Sequence, residues 1–268
     1  MEKVTENVYV ESQISVCNSS IVVTSEGVVV IDTPMVPENA RKWAAEAARH
    51  GPIKYVINTE PHPDHIAGNC YFGGMLVAHE GTRDTILASK VEEIKGMIQM
   101  HSPGAALDKD FRLRPPDITF SERLTLYLGG HTFHLINLPG HTPFQAAVYV
   151  PEEKIVFTSD NVNLATPFFR QALPKEWLKS LKKYQKLDVE KVVPGHGPVT
   201  DKSSFSKMHK NVSIWINAVA EAIAQGMTVE EVQQKVTMVK QFPDMPRDER
   251  TAGVVRMNVA RIYETLKK

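Results

Sequence analysis

Five short stretches of this sequence set histidine and aspartate among glycine, proline and threonine. They are Asp32-Thr33-Pro34, His62-Pro63-Asp64-His65, Pro139-Gly140-His141-Thr142, Thr158-Ser159-Asp160-Asn161 and Pro194-Gly195-His196-Gly197. Imidazole nitrogen and carboxylate oxygen are the donors that divalent transition metals take, and a catalytic ion needs such ligands with one coordination position left for water. Each stretch follows a β-rich run, so each is expected at a strand end, where layered α/β folds gather their ligand sites. Taken singly, His62 or His141 fits a turn histidine, and Asp64 or Asp160 fits a helix N-cap or turn residue. Taken together, the five stretches point to a metal site. His50, His131 and His209 read as surface or helix-end residues, and His79 and His134 as sheet residues, without a chemical role.

The elements that must position these groups follow from periodicity. Asn7 to Val10, Ser20 to Thr24 and Val28 to Ile31 read as strands, and Pro37 to His50 as a helix stopped by Gly51. A strand from Lys54 to Asn58 runs into Thr59-Glu60-Pro61-His62-Pro63-Asp64-His65, where two prolines predict an irregular loop. Leu76 to Ala78 is a short strand, Thr82 to Ile98 a helix, and Ser102 to Pro116 an irregular insertion. The pattern then returns to strands at Leu124 to Leu128, Thr132 to Leu138, Ala146 to Val150, Ile155 to Thr158 and Val192 to Val193, with a helix from Lys175 to Leu187 before the last. Two similar halves packed face to face with helices outside are expected. Beyond Pro198 the sequence is helical, over Ser203 to Gln225, over Thr228 to Val236 behind the capping box Thr228-x-x-Glu231, and over Glu249 to Lys268.

Lysine plus arginine and aspartate plus glutamate both number 31, so the net charge is zero and no nucleic acid or anionic membrane is implied as a partner. The apolar runs are far shorter than the roughly 18 residues of a membrane span. The first residues show no apolar leader, so the cytoplasm is the expected location, although a chain trimmed of a signal peptide reads the same way. Cys17 and Cys70 match no disulfide framework or zinc knuckle and read as small core or loop residues.

In order and spacing the five stretches resemble the signature of the metallo-β-lactamase-fold superfamily. That signature is an early strand-end Asp, then His-x-His-x-Asp-His, Gly-His-Thr, Asp and Gly-His-Gly. Asn18-Ser19-Ser20 is also similar to the family, and the helical tail with Asn258, Val259, Ile262 and Tyr263 resembles its glyoxalase-II-like or cyclase-like members. The resemblance implies an α/β four-layer αβ/βα sandwich over residues 1–200, with a helical extension over 201–268 docked on it. It makes His62 and His141 ligands of one metal, Asp64, His65 and His196 ligands of a second, and Asp160 their bridge. Asp32 becomes a supporting residue that binds no metal.

The departure from the signature is Glu60, which stands where the first His belongs. As a ligand, a carboxylate there favours Mn or Fe over Zn, though Zn accepts it too. If Glu60 instead turns away, one ion held by Asp64, His65, Asp160 and His196 remains, and His62 is free as a general acid or base, as in hydrolytic dehalogenases of the superfamily.

One or two divalent ions are therefore expected. The implied activity is hydrolysis of a small electrophile, an ester, lactone or thioester, by a metal-bound hydroxide, with Asp64 and His62 as the catalytic side chains. Alternatives are a non-haem iron oxygenase of the persulfide-dioxygenase type, a mononuclear dehalogenase-like enzyme, and a catalytically silent metal-binding relative. Met97 and Met100 in the insertion, Phe144 after His141, and Phe168 and Phe169 after Asp160 are candidates to wall an apolar pocket; core packing is an equal reading for Met97. The expected partner is a small molecule, and a homodimer is compatible with the sequence.

Overall fold

A computed structural model describes residues 1–13, 16–109, 111–163 and 167–267. Among these residues twelve strands form two sheets. The first has the order β1 (Glu2–Lys3), β2 (Val8–Glu11), β3 (Ser19–Thr24), β4 (Gly27–Ile31), β5 (Ile53–Ile57), β6 (Met75–His79) and β7 (Ile118–Phe120). It is antiparallel as far as β4 and parallel from there to β7. The second runs β12 (Lys191–His196), β11 (Ile155–Asn163), β10 (Ala146–Val150), β9 (His131–Asn137) and β8 (Arg123–Leu128), with only β11 and β12 parallel.

Strand β4 shows why these apolar runs lie in the middle of the molecule. All five of its residues are buried, because successive side chains point to opposite faces and both faces are covered. Val29 and Ile31 pack between the sheets with Val148, Ile155 and Phe157, while Val28 and Val30 pack under Trp43 and Ala47 of α1 (Pro37–Arg49). The second sheet mirrors this. Ala147, Val156 and Val192 turn outward against Trp177 and Leu181 of α5 (Pro174–Tyr184), Phe205 and Trp215 of α6 (Ser203–Ala224), and Val259 of α8 (Glu249–Lys267). The outcome is the four-layer αβ/βα sandwich, with its C-terminal helices lying on the second sheet through one continuous apolar cluster.

Three expectations are corrected. The stretch after β5 is not wholly irregular: Pro63–Ile66 is a helical turn, α2, with Pro63 in its first turn, where a missing N–H costs nothing. The helix expected over Thr82 to Ile98 is two helices, α3 (Glu80–Ala88) and α4 (Val91–His101). They part at Ser89 and Lys90, which are both extended, and Glu92 and Glu93 then favour a new helix N-terminus. Lastly, β11 does not end at Thr158 but continues to Asn163, so Ser159, Asp160 and Asn161 lie within a strand, and His196 likewise ends inside β12.

Helix α7 (Val229–Lys235) has the capping box expected from Thr228 and Glu231. Cys17 and Cys70 are free thiols. No helix among the described residues is long and apolar enough to cross a membrane.

Candidate metal centre

The polar run Ser159-Asp160-Asn161 in the second half of β11 organises the site. Both Pro-Gly-His segments press against it through their glycines. A Cβ at Gly140 would collide with Asn161 Oδ1 and the Trp177 ring, and one at Gly195 would collide with Asp160 Oδ1. The approach fixes the two histidines that follow. Asn161 Oδ1 accepts the His141 N–H at 2.9 Å, and Asn161 Nδ2 donates to Leu138 O. Ser159 takes a positive φ of 49°, a sparsely populated conformation for a residue with a side chain, where the register of β11 against β12 shifts.

Glu60, His62, Asp64, His65, His141, Asp160 and His196 all converge at this sheet edge. Among the described residues they form three overlapping groups, Glu60/His62/His141, Asp64/His65/His196 and Glu60/His65/Asp160. In the first, His62 Nδ1 lies 2.5 Å from Glu60 Oε2 and 3.2 Å from His141 Nε2. In the second, Asp64 Oδ2 lies 3.6 Å from His65 Nε2 and 3.4 Å from His196 Nε2. Asp160 faces both: Oδ1 is 3.2 Å from His196 Nε2 and 3.6 Å from His65 Nε2, while Oδ2 is 3.6 Å from His141 Nε2. Glu60 is fully buried and turned into the cluster.

Hydrogen bonds at the backs of the rings set which nitrogen looks inward. His141 Nδ1 bonds Phe168 O and His196 Nδ1 bonds Val16 O, both at 2.7 Å. A carbonyl can only accept, so Nδ1 carries the hydrogen and Nε2 offers a lone pair to the centre. His65 Nδ1 lies 2.9 Å from Asp32 Oδ2, and Asp32 also accepts the Thr59 N–H and hydroxyl. Asp32 does this from a left-handed backbone conformation, φ 56°. His62 is reversed: Nδ1 points inward and Nε2 lies 3.2 Å from Gln171 Oε1 at the rim.

The residues fit a divalent ion. Two ligand atoms sharing one ion at about 2.1 Å are separated by about 3.4 Å in tetrahedral geometry, and the inward-facing atoms stand 3.2–3.6 Å apart around Asp160. His65 Nε2 and Asp160 Oδ1 are buried without a hydrogen-bond partner, an arrangement that costs stability unless something else satisfies them.

The charges agree. Burial alone would lower the pKa of His65, but Asp64, Asp32 and Glu60 around it push it up to about 10. His196 is likewise pushed up to about 11 against burial by Asp160 and Asp64. Burial acts to raise the carboxyls of Glu60 and Asp64, yet the imidazoles beside them hold both below the usual range.

A pH dependence follows. An unfolded histidine loses its proton near 6.5, so the stabilisation from these two raised groups is complete below that pH and is lost as pH rises toward about 10 for His65 and about 11 for His196. Cations need the deprotonated rings, so metal affinity rises over the same window. The melting temperature of chelator-treated protein is expected to fall between pH 6.5 and 9, and the increment added by saturating metal to grow. Parallel pH profiles with and without metal would show that these rings do not ligate.

The C-terminal helix holds part of the frame. Asn258, buried on the apolar face of α8, accepts the Phe169 N–H and donates to Pro167 O, both at 2.8 Å. It thereby fixes the segment whose Phe168 carbonyl orients His141. Asn258→Leu strands two buried backbone groups, a cost of about 2–6 kcal/mol. Calorimetry is expected to show that loss together with weaker metal retention, and an unchanged melting temperature would remove Asn258 from this role.

Of the candidate pocket residues, Phe144 is stacked on His79 and lies over Gly81. Phe168 is half-buried, its ring tilted 6.3 Å from that of His141. Phe169 is a core residue, fully buried against Trp177 and Trp215. Met97 packs with Ile94, Ile98 and Phe111, and Met100 is exposed on α4. Sequence reasoning missed Gln145 and Gln171, and it noted Asn258 in the helical tail without a role at the site. Gln145 and Asn258 each interrupt an apolar pattern, which is the signal that marks them; Gln171, in an exposed loop, carries none.

A family model of the metallo-beta-lactamase superfamily matches residues 14–196. Among curated proteins the chain is 25% identical to a linear primary-alkylsulfatase of Pseudomonas sp., over 89% of this chain and 53% of the relative. It is 28% identical to a metallo-beta-lactamase type 2 of Elizabethkingia meningoseptica, over 76% of this chain and 81% of that one. A beta-lactamase-like protein 2 homolog of Caenorhabditis elegans, 28% identical over 69% of this chain, is matched over 57% of its length, so the chain spans just over half of two of these relatives. Among solved structures, a stereoselective inverting sec-alkylsulfatase from Pseudomonas sp. superposes with a TM-score of 0.75 at 17% identity, over 98% of this chain and 49% of that one. A metallo-beta-lactamase family protein of Thermus thermophilus superposes at 0.70 and 17% identity, over 99% and 95%. With the ordered motifs, the paired ligand groups and the sandwich that carries them, the match over residues 14–196 shows that this chain belongs to the metallo-beta-lactamase superfamily.

Proposed function

We propose that the chain is a metal-dependent hydrolase of small esters, lactones or thioesters, with sulfate esters added by the alkylsulfatase relative. The observation that carries this reading is Asp160, whose two oxygens each face a separate group of nitrogen and oxygen ligands. The groups Glu60/His62/His141 and Asp64/His65/His196, with Asp160 facing both, would hold divalent ions, and these would supply polarisation of a substrate oxygen and a bound water acidified toward neutrality.

The protein's own residues do the rest. Asp64 stays ionised at neutral pH, and with Oδ2 turned to His65 and His196 it has Oδ1 left to orient a water by accepting its hydrogen bond. His62, with Nδ1 committed to the centre, carries a hydrogen on Nε2 at the rim and can donate it in a hydrogen bond to a substrate oxygen in place of Gln171. Asp32, Phe168 O and Val16 O keep three rings in one tautomer, so the centre is arranged before substrate arrives.

The test is turnover of an ester, lactone and alkyl sulfate panel in oxygen-18 water, with oxygen uptake followed in parallel on a persulfide. Label in a product, activity lost to chelator and restored by zinc or manganese, is the expected result. Oxygen consumption with unlabelled product would replace the hydrolase by the iron oxygenase, and chelator-insensitive turnover would defeat both.

A further inference from the structure

A pocket of about 260 Å³ opens beside His62, lined by Thr85, Pro143, Phe144, Arg170, Gln171 and Arg261. It adjoins the metal centre through two walls. Gln171 Oε1 is 3.2 Å from His62 Nε2, and Pro143 and Phe144 directly follow His141-Thr142. Among the described residues its charged lining groups are two guanidiniums, so the pocket is cationic next to a cluster that is rich in carboxylates.

The two arginines are held differently. Arg261, half-buried on α8, donates from Nε to Ala172 O at 3.0 Å, which anchors the head and leaves its terminal nitrogens; one of these lies 3.8 Å from Glu264, an exposed carboxylate outside the lining. Arg170 is exposed and, among the described residues, has no hydrogen-bond or ion-pair partner. The Phe144 ring forms an apolar side wall, held in place because Gly81 has no Cβ to displace it. A guanidinium presents a planar fork of N–H donors that matches a carboxylate in two-point geometry. One apolar wall and two such forks suit a short chain that ends in a carboxylate.

We infer that Arg170 and Arg261 form a carboxylate-recognition subsite, so that the substrates are esters carrying a carboxylate several bonds from the scissile group. This rests on the hydrolase reading above and adds the substrate class to it. The carboxylate end sits between the guanidiniums, the methylene stem lies along Phe144, and the ester reaches past Gln171 and His62 to the centre.

Two esters that differ only at the far end test this. Mono(4-nitrophenyl) glutarate has a carboxylate where 4-nitrophenyl pentanoate has a methyl group. With the full chain loaded with zinc or manganese, the glutarate ester is expected to have the lower KM. Arg170→Gln and Arg261→Gln are each expected to shrink that KM ratio about tenfold, the usual scale of one charge-assisted hydrogen bond. Glutamine at 261 keeps an N–H for Ala172 O, so the loop stays anchored. Independently of turnover, binding of monomethyl glutarate to the metal-free chain, followed by NMR titration, is expected to weaken about tenfold in both variants.

Equal KM values for the two esters in the parent, or variants that leave both the ratio and the monomethyl glutarate affinity unchanged, would overturn the subsite while hydrolysis of both esters left the hydrolase reading standing. Arginine-dependent binding without hydrolysis of either ester would do the reverse.

Discussion

Asp160→Asn is expected to strip bound metal more completely than any other single substitution at the centre. Its two oxygens are the atoms that face both ligand groups, so the change touches both ions, whereas loss of His196 or His141 touches one. Asparagine keeps the shape that the tight approach of Gly195 requires, so the effect reads charge and ligation with little contribution from packing. Losing a residue that only supports a ligand costs about 10- to 100-fold in affinity or activity, and a bridging carboxylate is expected to exceed that range in both metal affinity and kcat/KM. Metal titration beside the ester assay measures it. An Asp160→Asn chain that keeps parental metal affinity would show that the residue does not bridge.

The second large effect is at Glu60. Its Oε1 accepts the Ser159 hydroxyl at 2.8 Å and the Gln145 amide at 3.3 Å, while Oε2 faces His62 and His141. The surroundings are thus built for a carboxylate. Glu60→His restores the signature and is expected to move the first group toward zinc, since imidazole suits that ion better than Mn or Fe. It also takes the acceptor from the Ser159 hydroxyl in a fully buried place, while the Gln145 amide keeps the Thr158 carbonyl at 3.5 Å. Stranding one donor costs about 1–3 kcal/mol, and a fall of roughly 3–8 °C in melting temperature is expected. Glu60→Gln keeps an oxygen for Ser159 and removes the charge, so it should weaken the first ion with a smaller loss of stability. Competition between zinc and manganese, read with calorimetry on the three chains, separates the two effects. Tight binding of two zinc ions by the parent, unchanged by Glu60→His, would show that Glu60 does not set metal preference.

The strands and the sheet edge are legible in the sequence because apolar alternation and strand-end His and Asp are local signals. Ala146 to Val150 has in the structure the bounds read from the sequence, and the Val28 to Ile31 strand gains only Gly27. What escapes depends on contacts between distant segments. The continuation of β11 through Ser159, Asp160 and Asn161 rests on its pairing with β12, which is far along the chain, and no local preference of a Ser-Asp-Asn run indicates it. Pro63 reads as a breaker because its permitted place in the first turn of a helix shows only once the helix is seen. The roles of Asn258 and Gln145 stay hidden because a polar residue inside an apolar pattern has no stated partner until the fold brings Phe169 or Glu60 to it. Phe169 is legible as apolar, but whether an aromatic side chain faces a cleft or the core is decided by Trp177 and Trp215, which lie on other elements.

Whether two groups of ligands each hold an ion is measured most directly by the metal content of the purified chain after saturation with zinc or manganese and removal of free ion, using inductively coupled plasma mass spectrometry. The expected result is two ions per chain in the parent, and about one in both His141→Ala and His196→Ala, because these rings belong to different groups and share only Asp160. A parent without stoichiometric metal, or both variants at the parental content, would contradict the metal centre described above.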